Sequence, residues 1–273
     1  AGPLNFLPFL RFLPKYQSTM NFLLQGKLKT HRVYQEVIDL HCSVAEDDFI
    51  SAFRREISLR GEDVGSFTQE QFYHLLADLF GAGTDTTLTT LRWFLIYVSY
   101  YPDIQDKLHS ELDAACQGLA YPNLDTVSGL PYLQAAIAEA QRIRSVVPVG
   151  IPHGTHNTNF IGDYRIPKGT MVIPLQWAVH MDPKYFPEPD VFRPERFLDE
   201  DGSFVKHEAL IPFQLGKRVC VGEELARMIL LLFASSLLFK FDVRLPQDCA
   251  TPLDSECGIT LVPKLREMRF IPR

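Results

Sequence analysis

Residues 213–222 read FQLGKRVCVG, with Cys220 two residues after Arg218 and two before Gly222. A cysteine at the mouth of a helix beginning near Val221 meets that helix's free N–H donors and positive dipole end. Arg218 adds positive charge, and both favour a thiolate. Gly216 allows a tight turn, and Gly222 removes a side chain where a flat ligand would approach the backbone. Such a thiolate suits axial ligation of haem iron, where backbone N–H bonds to sulfur tune its donation. A lone cysteine is more often a small buried hydrophobe. The whole pattern F-x-x-G-x-R-x-C-x-G, not the thiol by itself, carries the functional reading.

Three further groups lie upstream. AGTDTT at 82–87 sits inside a long helical stretch, although Gly83 costs about 1 kcal/mol there relative to alanine and threonines are poor helix formers. Thr86 can bond the carbonyl of Ala82 and loosen the helix, leaving a groove where a ligand lies against Ala82 and Gly83. Asp85 beside Thr86 offers an acid and an alcohol for proton delivery; the alternative is a packing notch for a crossing helix. Glu139 and Arg142, at i and i+3, share one helical face. They form either a solvated ion pair or, because the flanking PYLQAAIAEA is apolar, a buried pair that needs a further partner. Arg196 in FRPERF is the candidate. His153 in IPHGT is either a satisfied polar group at a strand edge or a donor to a carboxylate such as a haem propionate, which Arg218 could also hold.

These groups need a frame. Residues 16–44 and 47–60 have helical periodicity, and GEDVGS at 61–66 breaks the chain. Thr68 can cap a helix carrying Glu70 in its first turn, and no proline follows until Pro102. A helix over about 68–101 is therefore expected, on the order of 50 Å long. Pro102 opens another at its favoured first-turn position, and a helix over about 131–144 carries Glu139 and Arg142. After Pro148 the chain turns to Thr, Ile, Val and Phe with Gly and Pro turns, the texture of short strands. A Pro-rich meander over about 182–212 leads into the loop 213–222 and a final helix over about 221–239. The fold class expected is mainly α with small β-sheets.

Bulk composition narrows the function. The 273 residues are 46% hydrophobic and 22% charged, ordinary for a globular body. A formal net charge of -6 argues against nucleic-acid binding, which needs a surplus of Lys and Arg. Cys42, Cys116, Cys220, Cys249 and Cys257 are odd in number and include no CxxC pair. A disulfide framework or structural zinc is therefore not expected, and a reducing compartment is. No GxSxG, P-loop or HExxH occurs. The apolar run 228–239 is too short to span a bilayer and reads as a buried core helix. Phe6, Leu7, Phe9, Leu10, Phe12 and Leu13 form either a core-packed loop or a patch lying in a membrane interface.

AGTDTT, EAQR, PERF and FQLGKRVCVG occur in an order and at separations that resemble the cytochrome P450 family. VPVGIPHGT, IPKGTMVIP, HMDPKYFPEP and GKRVCVGEELARM are most similar to its animal microsomal, steroid- and drug-oxidising branch, with some likeness to arthropod ecdysteroid 25-hydroxylases. The resemblance implies haem b (iron protoporphyrin IX) with Cys220 as the axial thiolate ligand. It implies that Thr86 and Asp85 relay protons to bound O2, and that Glu139, Arg142 and Arg196 form a structural triad locking the meander. Arg218 and His153 would hold propionates, and Ala82, Gly83, Phe213, Gly222 and Ala226 would pack near the porphyrin. Substrate would meet segments 80–86, 147–151 and 257–260.

The implied activity is monooxygenation of a lipophilic molecule (sterol or steroid, fatty acid or xenobiotic) with electrons from NADPH-cytochrome P450 reductase. The implied place is the cytosolic face of the endoplasmic reticulum membrane rather than the mitochondrion. Residues 1–14 resemble the membrane-dipping loop between helices F and G, and residues from 15 onward resemble helix G. Residues 1–273 are thus expected to be the C-terminal part of a single such domain, without its membrane anchor or most of its substrate roof. Two other readings stay open: a truncated, non-catalytic chain with impaired haem binding, and a haem-thiolate isomerase. The Asp85–Thr86 pair argues against the second.

Overall fold

A computed structural model describes residue 4 and residues 7–41, 48–61, 65–247 and 252–273. Phe6, Cys42 and Cys249, named above, lie outside the described residues. The chain divides into two compact units, Ala1–Ala82 and Gly83–Arg273.

The first unit holds a 3-10 turn Pro8–Phe12, helix α1 (Pro14–His41), helix α2 (Phe49–Arg60) and the opening turns of α3 (Gln69–Tyr100). Asp48 caps α2 by accepting from the Ser51 N–H at 2.9 Å, and Thr68 Oγ1 caps α3 by accepting from the Gln71 N–H at 3.1 Å. Ile38, Phe53 and Phe72 make its small core, with the Phe53 and Phe72 rings stacked 4.7 Å apart. Leu7, Phe9, Phe12 and Leu13 are exposed, so they do not form the core-packed loop considered from sequence.

The second unit continues α3 and adds α4 (Pro102–Ala115), α5 (Leu124–Val127), α6 (Pro131–Ile143), α7 (Gln176–His180) and α8 (Glu223–Lys240). Its strands form antiparallel pairs. β1 (His153–Gly154) pairs with β4 (Met171–Val172), and β2 (Asn159–Ile161) with β3 (Tyr164–Ile166). β5 (Phe241–Arg244) pairs with β8 (Arg269–Pro272), and β6 (Ser255–Cys257) with β7 (Leu261–Pro263). The fold is mainly α with small sheets. The core runs from Trp93 and Ile96 on α3, through Leu108 and Leu112 on α4, to Leu133 on α6 and Leu238 on α8.

Helix α6 is buried all round over 135–143, because its alanines let neighbouring elements approach from every side. That geometry takes Glu139 and Arg142 out of water. Helix α8 is different from the expected buried core helix. Leu230, Ala234 and Leu238, at i, i+4 and i+8, face α4, α5 and α6, while Met228 and Phe233 are exposed. It starts at Glu223, with Gly222 as its N-cap. Among the described residues no helix is long and apolar enough to cross a membrane.

Candidate functional site

The cysteine loop is built by its backbone. The Cys220 N–H donates to the Phe213 carbonyl at 3.0 Å and closes the loop 213–220. The Val219 N–H donates to the Gly216 carbonyl at 3.1 Å over the 3-10 turn Gly216–Arg218. Gly216 has φ 78°, a left-handed conformation that glycine adopts without steric cost. Cys220 is a free, exposed thiol, with the first turn of α8 directly behind it. Leu215, Val219 and Val221 are exposed around it, Val221 by 89%. The Arg227 guanidinium lies 5.7 Å from the Phe213 ring and pairs with Glu223 at 2.7 Å, bracing the loop on α8. Arg218 is exposed on the loop, while Gly222 and Ala226 are partly buried behind it, the Ala226 N–H donating to the Gly222 carbonyl at 2.9 Å.

These residues fit a haem. The loop offers one soft sulfur donor, unencumbered and exposed, among aliphatic side chains that a flat apolar macrocycle would cover. On α3, a Cβ added at Gly83 would meet nothing within 4 Å, so there is open space beside that backbone.

Across 82–87 the helix is unbroken, so the expected opening is not a break. The Thr90 hydroxyl donates to the Thr86 carbonyl at 2.8 Å, sharing that carbonyl with the helix ladder instead of removing it. Ala82, exposed, ends the first unit. Asp85 accepts a hydrogen bond from the Thr260 hydroxyl at 3.1 Å. Next to Thr86, the Thr87 hydroxyl is buried with no hydrogen-bond partner among the described residues.

The structure brings Glu139, Arg142 and Arg196 together. Arg142 donates to both Glu139 oxygens, from Nε at 2.6 Å and Nη2 at 2.8 Å, and Arg196 Nε reaches the same carboxylate at 3.3 Å. Both members of the first pair are fully buried. The remaining donors go to the end of α7 and to the meander. Arg142 holds the carbonyls of His180 at 2.9 Å and Pro189 at 2.8 Å, Arg196 holds those of Pro187 and Glu188, and the Arg193 N–H returns to Glu139 at 2.9 Å. A bidentate pair whose spare donors and lone pairs are all used is the arrangement in which burying two charges is tolerable.

His180 went unnoticed in the sequence. It is fully buried, accepts from the Ile211 N–H at Nε2 (2.9 Å) and lies 2.7 Å from Ser145 Oγ at Nδ1. With Nε2 accepting, the ring is the Nδ1–H tautomer, donating to Ser145. Burial first, then the charge of Arg142, pushes its pKa down to about 4, so the ring stays neutral. It thereby ties the end of α6 to the chain just ahead of the cysteine loop. His153 behaves differently: partly buried on β1, it places Nε2 3.4 Å from Gln214 Oε1, a residue of that loop with φ 65°. Gln214 fits there because position 150 is glycine. A Cβ at Gly150 would sit 2.7 Å from Gln214 Nε2 and 2.6 Å from Pro174 Cγ.

Comparison with known proteins agrees with this architecture. The chain belongs to the cytochrome P450 family, whose family model matches residues 3–270. Among curated relatives, cytochrome P450 306a1 of Drosophila melanogaster is 38% identical over 99% of this chain and 55% of its own length. Cytochrome P450 2U1 and cytochrome P450 2J2 of Homo sapiens are each 38% identical, over 95% and 98% of this chain and 48% and 54% of their own lengths. The chain spans about half the length of the curated relatives it matches.

Proposed function

We propose that this chain is the haem-binding portion of a haem-thiolate monooxygenase acting on a lipophilic substrate. The observation that carries the reading is the exposed Cys220 thiol at the close of a backbone-built loop in a member of this family. Bound haem b would supply the activation of O2 and the oxidation of a C–H bond. The protein's share is ligation, positioning and proton control.

Cys220 would donate its thiolate to the iron, held in place by its bond to Phe213 and by the N-terminus of α8. Arg218 and His153 would hold the carboxylates of the cofactor. Phe213, Gly222, Ala226, Ala82 and Gly83 would give the macrocycle flat or small contacts. Asp85 would take a proton from solvent and Thr86 would pass it toward the oxygen-binding side. Glu139, Arg142 and Arg196, with His180, would keep the meander and the loop from shifting. Segments 147–151 and 257–260 present Val149, Ile151 and Ile259 as exposed apolar side chains, which suits a sterol or steroid, a fatty acid or a xenobiotic.

Electrons would come from NADPH-cytochrome P450 reductase, and the exposed Phe9, Phe12 and Leu13 suit association with the endoplasmic reticulum membrane. The test uses the full-length protein with reductase, NADPH and 18O2. One labelled oxygen atom in the product supports monooxygenation. Turnover of an organic peroxide without NADPH or O2, with no label incorporated, assigns an isomerase instead. Thr86→Ala is expected to divert electrons to hydrogen peroxide, and unchanged coupling removes Thr86 from the relay.

A further inference from the structure

Helix α3 is fastened to the β6–β7 hairpin at three successive points. Trp93 Nε1 donates to the Leu261 carbonyl at 2.7 Å. Arg92 Nη2 donates to the carbonyls of Pro263 and Leu265 at 3.1 Å and 2.7 Å. Asp85, seven and eight residues earlier and so on the same side of the helix, accepts from the Thr260 hydroxyl at 3.1 Å across 175 residues of sequence. Thr260 has little freedom of its own. Its carbonyl accepts from the Gly258 N–H at 3.0 Å, and the Leu261 N–H beside it donates to the Val146 carbonyl at 2.8 Å. The backbone at the hairpin tip is therefore held on either side of Thr260, whose hydroxyl it presents to the carboxylate. The neighbouring Ile259 is 78% exposed, an apolar side chain at the tip of the same turn.

We propose that Thr260 is a positioning residue for Asp85: its hydroxyl fixes the carboxylate, and through the β6–β7 turn it links occupancy by a lipophilic substrate to proton delivery. The inference rests on the reading of Asp85 as the relay acid. A carboxylate held by one oriented donor has a preferred rotamer, and without that donor an exposed aspartate samples several. Of the three fastenings only this one is side chain to side chain. It can be removed while the Trp93 and Arg92 anchors keep the hairpin in place. An apolar ligand packing on Ile259 pushes on the residue next to the donor, which gives the substrate a direct mechanical route to Asp85.

The test compares Thr260→Val, Thr260→Ser, Asp85→Ala and the double variant Asp85→Ala with Thr260→Val against the unaltered sequence in the full-length, haem-loaded protein. The first readout is amide hydrogen exchange over 258–261. Thr260→Val and Asp85→Ala should each raise it by roughly two- to tenfold, the effect of one net hydrogen bond, and Thr260→Ser should restore protection. The second readout is hydrogen peroxide released per NADPH consumed with a saturating lipophilic substrate. Thr260→Val should raise it, Thr260→Ser should not, and Thr260→Val should add nothing on top of Asp85→Ala. Faster exchange with unchanged peroxide release in Thr260→Val, while Asp85→Ala does uncouple, overturns the positioning role and leaves the relay standing. Unchanged peroxide release in Asp85→Ala itself overturns the relay, and unchanged exchange in both variants overturns the contact.

Discussion

Replacing Arg142 by lysine keeps the charge and removes the fork. Arg142 makes two bonds to Glu139, one to the His180 carbonyl and one to the Pro189 carbonyl, all between 2.6 and 2.9 Å, the first three buried and the last part-buried. A lysine ammonium is a single point and can stay with the carboxylate or move to the carbonyls, not both. Staying with Glu139, it leaves the buried His180 carbonyl and the part-buried Pro189 carbonyl without their donors, at about 1–3 kcal/mol each. Roughly 4 kcal/mol is the expected loss, similar to that of breaking a buried ion pair. Against a total stability of about 5–15 kcal/mol this is a large fraction. Urea unfolding followed by circular dichroism measures it, and limited proteolysis locates it. The lysine variant should lose stability by that amount and be cut first within 182–212. A loss under about 1 kcal/mol, or cleavage unchanged in the meander, would refute the claim that this fork holds the segment.

Two further outcomes follow from the geometry around the loop. His180 has its pKa depressed to about 4 from an ordinary 6.5. The unfolded chain binds the extra proton first, so stability is fully present above about pH 6.5 and is lost as pH falls toward 4, by roughly 3 kcal/mol in all. His180→Gln, which cannot titrate, should flatten that part of the stability curve, and an identical pH slope in the variant would count against the buried neutral ring. Gly150→Ala places a Cβ 3.0 Å or less from Pro174 and Gln214. Overpacking of this kind costs about 1–3 kcal/mol, read as a shift of the unfolding midpoint, and an unshifted midpoint would show that the loop has room to give.

The long helix was legible in the sequence because Thr68 caps it and no proline interrupts it before Pro102. The Glu139–Arg142 pair could be read as buried from its apolar flank PYLQAAIAEA, with a solvated pair as the open alternative, and Arg196 in FRPERF was the candidate partner. In FQLGKRVCVG, Gly216 and Gly222 marked a tight turn ahead of a helix, and the 3-10 turn Gly216–Arg218 followed by α8 lies there. His180 was not legible, because one histidine in HMDP carries no spacing signal and its partners, Ser145 and Ile211, are more than thirty residues away on either side. The Asp85–Thr260 contact depends in the same way on where the β6–β7 hairpin docks. The outer face of α8 was misread because a continuous apolar run hides which side faces the core. Leu230, Ala234 and Leu238 pack inward while Phe233 does not.

The central claim is that Cys220 would hold a haem through its thiolate. Its most direct test is the absorption spectrum of the reduced, carbon monoxide-bound, haem-loaded full-length protein, recorded beside that of Cys220→His. The expected result is a red-shifted Soret band in the unaltered protein that disappears in the histidine variant. A histidine-type band in the unaltered protein, or a red-shifted band that survives Cys220→His, would contradict the assignment.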